Sequence, residues 1–439
     1  MKIAILGGGL TGITLARLYS EKGHEVVVLE KEKEYGGLCR SRTDQGFTFD
    51  TGGSHIIFSR DTEVLAFMLR MLEHNREMRK RNTKIYHRGC YIKYPFENGL
   101  HELEKEECFF CINEFIRNLI AVEKGEIKPP HNFHEWTYYT FGKGIANLYL
   151  IPYNEKIWKY PTQRMSCHWV EGRIPRPPVE DVIKSAIGME TEGYTHQIRF
   201  AYPRSGGIKA LVEAIAAPIE STIRCGFAVS ALGRQGDQYV IGNGEEEIMA
   251  DRVISTLPVQ ALLNVLPDVP PELLVACGNL QYNSLYCVGI GVKGEVPPYS
   301  WVYIPDPRTG LFNRISFPSG YSPETAPSGH ASILVEITFR EGDEVDSFQE
   351  DEIVDQVLTS LQAMQLISGP EDVVYTYIER QRYAYVIYDL DYQKNIALVR
   401  DFVRCRGIGL VGRFAEFEYL NMDDCIRHAM NFVREHPCG

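Results

Sequence analysis

No stretch of 18 or more uncharged apolar residues occurs in the 439-residue chain, so no membrane-spanning helix is expected. The apolar run inside MKIAILGGGL is too short for a secretory signal, and glycine breaks it at once. Positive charge is in deficit: 46 Lys plus Arg stand against 58 Asp plus Glu, a formal net charge of −12. That balance argues against nucleic-acid or anionic-membrane partners but leaves room for a local basic pocket. Internal repeats, low-complexity tracts and unstructured linkers are also missing. Cysteine is present 11 times, an odd number scattered from Cys39 to Cys438. Scattered thiols fit a reducing compartment, and a cytoplasmic location is expected. The close pair Cys108 and Cys111 has no further ligands at zinc spacing, so it reads as helix thiols and no metal site is expected. What remains, 44% hydrophobic and 24% charged, is an enzyme-sized globular chain with room for roughly two or three domains.

Residues 2–6, KIAIL, and 26–30, VVVLE, read as short buried strands flanking a helix that stops at Gly23. A strand–helix–strand unit of this length is the building block of a parallel α/β sheet. A second helix is predicted after Asp61. Residues 102–124 form a charged amphipathic helix, and 133–160 are dense in aromatics. DQYVIGN and EIMADRVISTLP read as sheet strands of the first domain resumed. Residues 283–340 and VVYTYIERQRYAYVIYD are strand-rich, and the last segment reads as strand, connection and helix. The predicted architecture is α/β, a Rossmann-type dinucleotide domain with interleaved helical and antiparallel-sheet domains. The first would comprise 1–75 with about 205–280 and 400–439. The helical part would cover about 100–200, and the sheet-rich part about 76–99 with 281–399. GMETEGYTH, within 183–200, has the glycines and polarity of a mobile surface loop.

Gly7, Gly9 and Gly12 satisfy G-x-G-x-x-G between the first strand and helix. Gly7 permits the tight turn, Gly9 lets the backbone approach a pyrophosphate, and Gly12 allows close helix–strand packing. The pyrophosphate would rest on the helix N-terminus. Glu30, 18 residues beyond Gly12, closes the second strand where an acid can accept from a ribose hydroxyl. A bound dinucleotide follows from the whole context.

The continuation EKEKEYGGLCRS, with Gly36 and Gly37, resembles FAD-binding members of the glutathione-reductase-like flavoproteins. GIGLVGR followed by NMDDCIRHA resembles their late segment covering the flavin. There a helix start at Asp423 would aim N–H dipoles at the reduced ring. The blocks GGSHIIFS, YIKYPFENG, IPYNEKIWKYPTQRMSCHW, EGRIPRPP, NRISFPSGYSP and GRFAEFEYLNMD resemble the UDP-galactopyranose mutase family, its eukaryotic-type branch above all. They run from the first strand to the last helix in conserved order. The resemblance implies ring contraction of UDP-galactopyranose to the furanose without net redox change, through a sugar adduct at N5 of reduced FAD. An external reductant, NADPH or a reductase, would keep the flavin reduced.

Residue by residue, the resemblance places His55 beside the flavin, with one extra serine between it and Gly53 relative to the eukaryotic type. It places Arg173 near the sugar and diphosphate, Arg314 as the main diphosphate arginine, and Tyr321, Tyr385 and Tyr419 as phosphate-facing phenols. Arg413 would lie beside the flavin ring, and Tyr94, Phe96, Asn154 and Trp158 at the uridine end. Guanidinium groups offer rigid paired donors to a diphosphate, and phenols add neutral ones. Glu97 stands where the family has a uracil-reading glutamine. A carboxylate accepts from the imide N–H but donates to a carbonyl only when protonated. Two alternatives remain open: a mutase for another nucleotide-diphospho-sugar, or an FAD-dependent oxidoreductase of the amine-oxidase-like group.

Overall fold

The structure, a computed structural model, describes residues 1–170, 173–191 and 198–437. Strand Lys2–Leu6 pairs in parallel with Glu25–Glu30, and helix Leu10–Glu21 makes the crossover between them. The complete parallel sheet runs Gly409–Leu410, Arg252–Ser255, Lys2–Leu6, Glu25–Glu30, Ile223–Cys225. Ile3, Ile5, Ala4 and Leu6 are all buried, because helices or loops cover both faces of the sheet. The last helix, Met422–Glu435, packs beside Leu10–Glu21 through Ile426, Ala429 and Val433.

The strands that resume the first domain divide between two sheets. DQYVIGN and EIMAD form a separate antiparallel three-stranded sheet from Ala231–Gln235, Gln238–Gly242 and Glu247–Ala250. Only Arg252–Ser255 rejoins the parallel sheet. Short connections of two to four residues favour hairpins, and a parallel return needs a crossover of a dozen or more.

A seven-stranded sheet forms a second layer, in the order Val373–Ile387, Gln281–Lys293, His330–Phe339, Arg314–Ser316, Trp301–Tyr303, Thr83–His87, Cys90–Lys93. All its pairings are antiparallel except that of Trp301–Tyr303 with Thr83–His87. Gly289 and Gly291, on one face of strand Gln281–Lys293, admit the rings of Phe49 and Phe47; a Cβ would stand 2.7 and 2.5 Å from them. Those rings belong to hairpin Ser41–Asp44/Phe47–Asp50, so two missing side chains let the dinucleotide loop region dock on this sheet. Helices Lys105–Glu123, Phe133–Ile145, Ile151–Trp158 and Val179–Ala186 make up the helical part. Part of the 183–200 loop reading, residues 192–197, lies outside the described residues. Among the described residues no helix is long and apolar enough to cross a membrane.

Candidate functional site

A cavity of about 760 Å³ opens where strands Lys2–Leu6, Glu25–Glu30 and Arg252–Ser255 end. Gly7, at φ 100°, turns the chain there. A Cβ on Gly12 would sit 2.1 Å from the Gly7 carbonyl oxygen, whereas one on Gly9 would meet nothing within 4 Å. The backbone at Gly9 is thus laid open to a ligand. Glu30, buried, accepts from the Gly8 N–H at 2.7 Å and the Glu32 N–H at 3.0 Å. Its carboxylate stiffens the glycine turn and also lines the cavity. Gly36 donates its N–H to the Gly8 carbonyl at 2.8 Å, and Gly37 lies against Gly9, closing the floor.

The same cavity is also lined by Arg413, Asn421, Met422 and Cys425. The Arg413 guanidinium stands 5.0 Å from both the Tyr385 and Tyr419 ring centres, and its Nε and Nη2 are buried with no hydrogen-bond partner. Buried donors without acceptors are costly, so a ligand offering acceptors is what this cation is arranged to meet. The glycine cradle and Arg413 fit two parts of FAD: backbone N–H groups for the pyrophosphate at its middle, a cation for the electron-rich ring at one end.

A second cavity of about 580 Å³ is walled by Tyr149, Tyr153, Trp158 and Trp169, with Glu97 and Asn154 among them. Phe58, Tyr94, Tyr303, Arg314, Tyr385, Tyr419 and Asn421 line both cavities and form their junction. His55 lines the first cavity, from the loop that also carries Phe58 to the second. Its Nδ1 lies 2.7 Å from the Gly53 carbonyl, which can only accept, so Nδ1 carries the proton and Nε2 is the free acceptor. Burial pushes the imidazole down to about 4, keeping it neutral in the physiological range.

Arg314 is held at the junction by Glu336, which accepts at 2.8 Å from Nε and 2.7 Å from Nη2. Arg173 donates to the Tyr419 carbonyl, stacks 4.3 Å from the Tyr419 ring and lies 3.8 Å from Asp424. Trp158 donates its indole N–H to Asn154 at 2.9 Å, and Asn154 donates to the Leu150 carbonyl at 2.7 Å. The amide therefore orients the indole and keeps only part of its capacity for a ligand. Glu97, 5% exposed, has its carboxyl pushed up to about 7 by burial. It has no cation partner among the described residues.

Three placements correct the sequence reading. Phe96 is wholly buried, stacked 5.2 Å from Tyr149, and lines neither cavity, because the YPF turn sends Tyr94 outward and Phe96 into the core. Tyr321 is also buried, donating to the Ser300 carbonyl at 2.8 Å with Ser54 Oγ at 3.0 Å; its hydroxyl fixes the loop before His55 and does not face the cavities. The last helix does begin beside the first cavity, but Asp423 accepts from Ser59 at 2.6 Å and faces the second. Asn421 and Asp424 make the capping box there, so Asp423 latches the His55 loop.

Sequence reasoning missed Glu336, although a lone acid inside ASILVEITF was a visible signal of a buried partner. It also missed Arg81, which lines the first cavity and lies between the rings of Tyr94 and Trp301 at 4.8 and 4.7 Å.

Residues 10–395 match the family described as flavin containing amine oxidoreductase. The fold superposes on a crystal structure of reduced UDP-galactopyranose mutase with a TM-score of 0.90 and 27% identity, covering 100% of this chain and 96% of that one. A CLA-producing fatty acid isomerase from P. acnes shares the fold at a TM-score of 0.67 and 16% identity, covering 99% of this chain and 98% of that one. A 4,4'-diapophytoene desaturase of Staphylococcus aureus is 44% identical over 52 residues, 12% of this chain and 10% of the desaturase. The matched stretch spans half or less of such curated relatives. The cofactor is FAD, and the chain belongs to the flavin-containing amine oxidoreductase family.

Proposed function

We propose that this protein is a flavin-dependent mutase interconverting UDP-galactopyranose and UDP-galactofuranose. The observation that carries the reading is the junction, where Arg314, Tyr385 and Tyr419 line the flavin cavity and the aromatic cavity at once. An amine or polyene substrate has no use for guanidinium groups there. A nucleotide diphosphate crossing from an aromatic slot to a flavin does. The full-length likeness to a UDP-galactopyranose mutase supports the same reading.

Reduced FAD, when bound, supplies the nucleophile for the anomeric carbon. The chain's residues supply the rest. Arg314 and Arg173 meet the charge that develops on the departing diphosphate, and the phenols of Tyr385 and Tyr419 donate to its oxygens. Glu336 and the Tyr419 carbonyl fix the two guanidinium groups beforehand, so little reorganisation is needed when the bond breaks. Neutral His55 presents Nε2 as an acceptor beside the flavin. Tyr94, Trp158 and Asn154 hold the base. Glu97, if protonated, offers the uracil edge one acceptor and one donor, as a glutamine would. An external reductant, NADPH or a reductase, keeps the flavin competent.

The test is anaerobic incubation of the dithionite-reduced holoprotein with UDP-galactofuranose, followed by HPLC and NMR. UDP-galactopyranose as product is the expected result. Unchanged substrate, with flavin bleaching by amines and reoxidation by oxygen, would instead place the protein among amine-oxidising enzymes.

A further inference from the structure

The buried Nε and Nη2 of Arg413 make no hydrogen bond, so the backbone that carries this side chain decides where its charge stands. That backbone is a tight bend. Gly412 lies at φ 103°, in the left-handed region that favours glycine. A Cβ there would stand 2.8 Å from Thr11 Oγ1, on the helix that opens the nucleotide cradle. Thr11, Gly412 and Arg413 all line the flavin cavity.

One residue holds this bend. Glu416 Oε2 accepts from the Gly412 N–H at 2.6 Å, and the Glu416 N–H donates to the Gly412 carbonyl at 2.8 Å. Both polar backbone groups of Gly412 are thus engaged by a residue four positions on, in the wide helical turn Arg413–Phe417. A carboxylate accepting from a backbone N–H makes a charge-assisted bond, roughly twice as strong as a neutral one. His428, on the last helix, braces that carboxylate: its Nδ1 lies 3.0 and 2.9 Å from the two oxygens. A carboxylate can only accept, so Nδ1 carries the proton. The hydrogen bond to Glu416, with the charges of Glu418 and Asp424, holds the imidazole above its usual range. Arg400 in turn donates to the Glu416 carbonyl and the Glu418 carboxylate. Neither Glu416 nor His428 lines a cavity, so their effect on the flavin passes through Gly412 and Arg413.

We infer that Glu416, braced by His428, is a positioning residue for the flavin, setting the bend from which Arg413 meets the ring. This rests on the ring lying beside Arg413. A cation there favours the electron-rich reduced ring, so displacing it lowers the flavin's reduction potential. Dye-coupled reductive titration of the FAD-bound full chain reads that potential. Glu416→Asp keeps the charge but is one methylene too short for the Gly412 N–H. It should disfavour the reduced flavin about tenfold, or about 30 mV for a two-electron couple. Glu416→Gln loses the charge but keeps the acceptor, and should stay near the parent. His428→Asn should give a smaller fall of the same sign, and it decides alone if Glu416→Asp does not hold FAD. An unchanged potential in FAD-bound Glu416→Asp and His428→Asn, or a shift in Glu416→Gln as large as in Glu416→Asp, would overturn the inference. Arg413→Ala should lower the potential at least as far as Glu416→Asp. An unmoved potential in that variant would overturn the placement of the ring itself, and the inference with it.

Discussion

The fully buried carboxylate of Glu336 grips Arg314 through two hydrogen bonds, 2.8 Å to Nε and 2.7 Å to Nη2. The two residues are cross-strand partners in register, on Arg314–Ser316 and His330–Phe339. Glu336 also accepts from the Ser54 N–H at 2.9 Å. One acid therefore positions the junction arginine and the start of the His55 loop together.

Glu336→Gln removes the negative charge while keeping one acceptor. Uncompensated burial of Arg314 should cost on the order of 3 kcal/mol, read by urea denaturation. If Glu336 acts as a positioning residue, UDP affinity should fall as well, with FAD content retained. An unaltered affinity in folded variant would limit Glu336 to a structural role.

Arg314→Ala should raise the dissociation constant for UDP by about 10- to 150-fold, the worth of one charge-assisted contact of roughly 1.5–3 kcal/mol. Flavin absorbance should be preserved, since the glycine cradle is untouched. Calorimetric titration showing unchanged UDP binding would remove the diphosphate role.

Gly9→Val and Gly12→Val should fail differently. A Cβ at Gly9 meets nothing within 4 Å, so that variant should fold yet lose the yellow colour as the side chain enters the cavity. A Cβ at Gly12 lies 2.1 Å from the Gly7 carbonyl, so that variant should be insoluble. Circular dichroism and flavin spectra distinguish the two outcomes.

Glu97 sets a pH dependence. Its folded carboxyl titrates at about 7 against 4.5 for the free group. Between those values the unfolded chain releases its proton first, so stability falls as pH rises and levels off above about 7. Asp50, pushed up to about 6 by burial, adds to the same slope. Glu97→Gln should flatten it and, at pH 8, stabilise the protein by up to roughly 3 kcal/mol. UDP affinity should drop as much as tenfold per pH unit above about 7 in the parent, and less in the variant. Comparison in matched buffers cancels ionisation of the ligand phosphate. Parallel profiles would show that Glu97 does not read the base. Comparing UDP with CDP then separates edge reading, which moves their ratio, from simple charge relief, which does not.

The glycine turn, the first strand–helix–strand unit and the long strands of the seven-stranded sheet were legible in the sequence. Gly7, Gly9 and Gly12 act on their own backbone and near neighbours, and alternation in ASILVEITF or VVYTYIERQRYAYVI is a property of a few successive residues. Of the residues the resemblance assigned to ligands, Arg314, Tyr385 and Tyr419 line both cavities, His55 and Arg413 the first, and Arg173 the second. Tertiary structure decided the rest. Tyr94 and Phe96 share one short motif, yet one lines both cavities and the other stacks in the core on Tyr149. Tyr321 and Asp423 were assigned to ligands and instead hold the His55 loop, through Ser54 and Ser59. The Arg314–Glu336 pair depends on strand register, and a slip of one residue would turn the acid to the other face. Local chemistry writes strands, helices and turns into the chain; which side chains meet across long separations is set only when those elements pack.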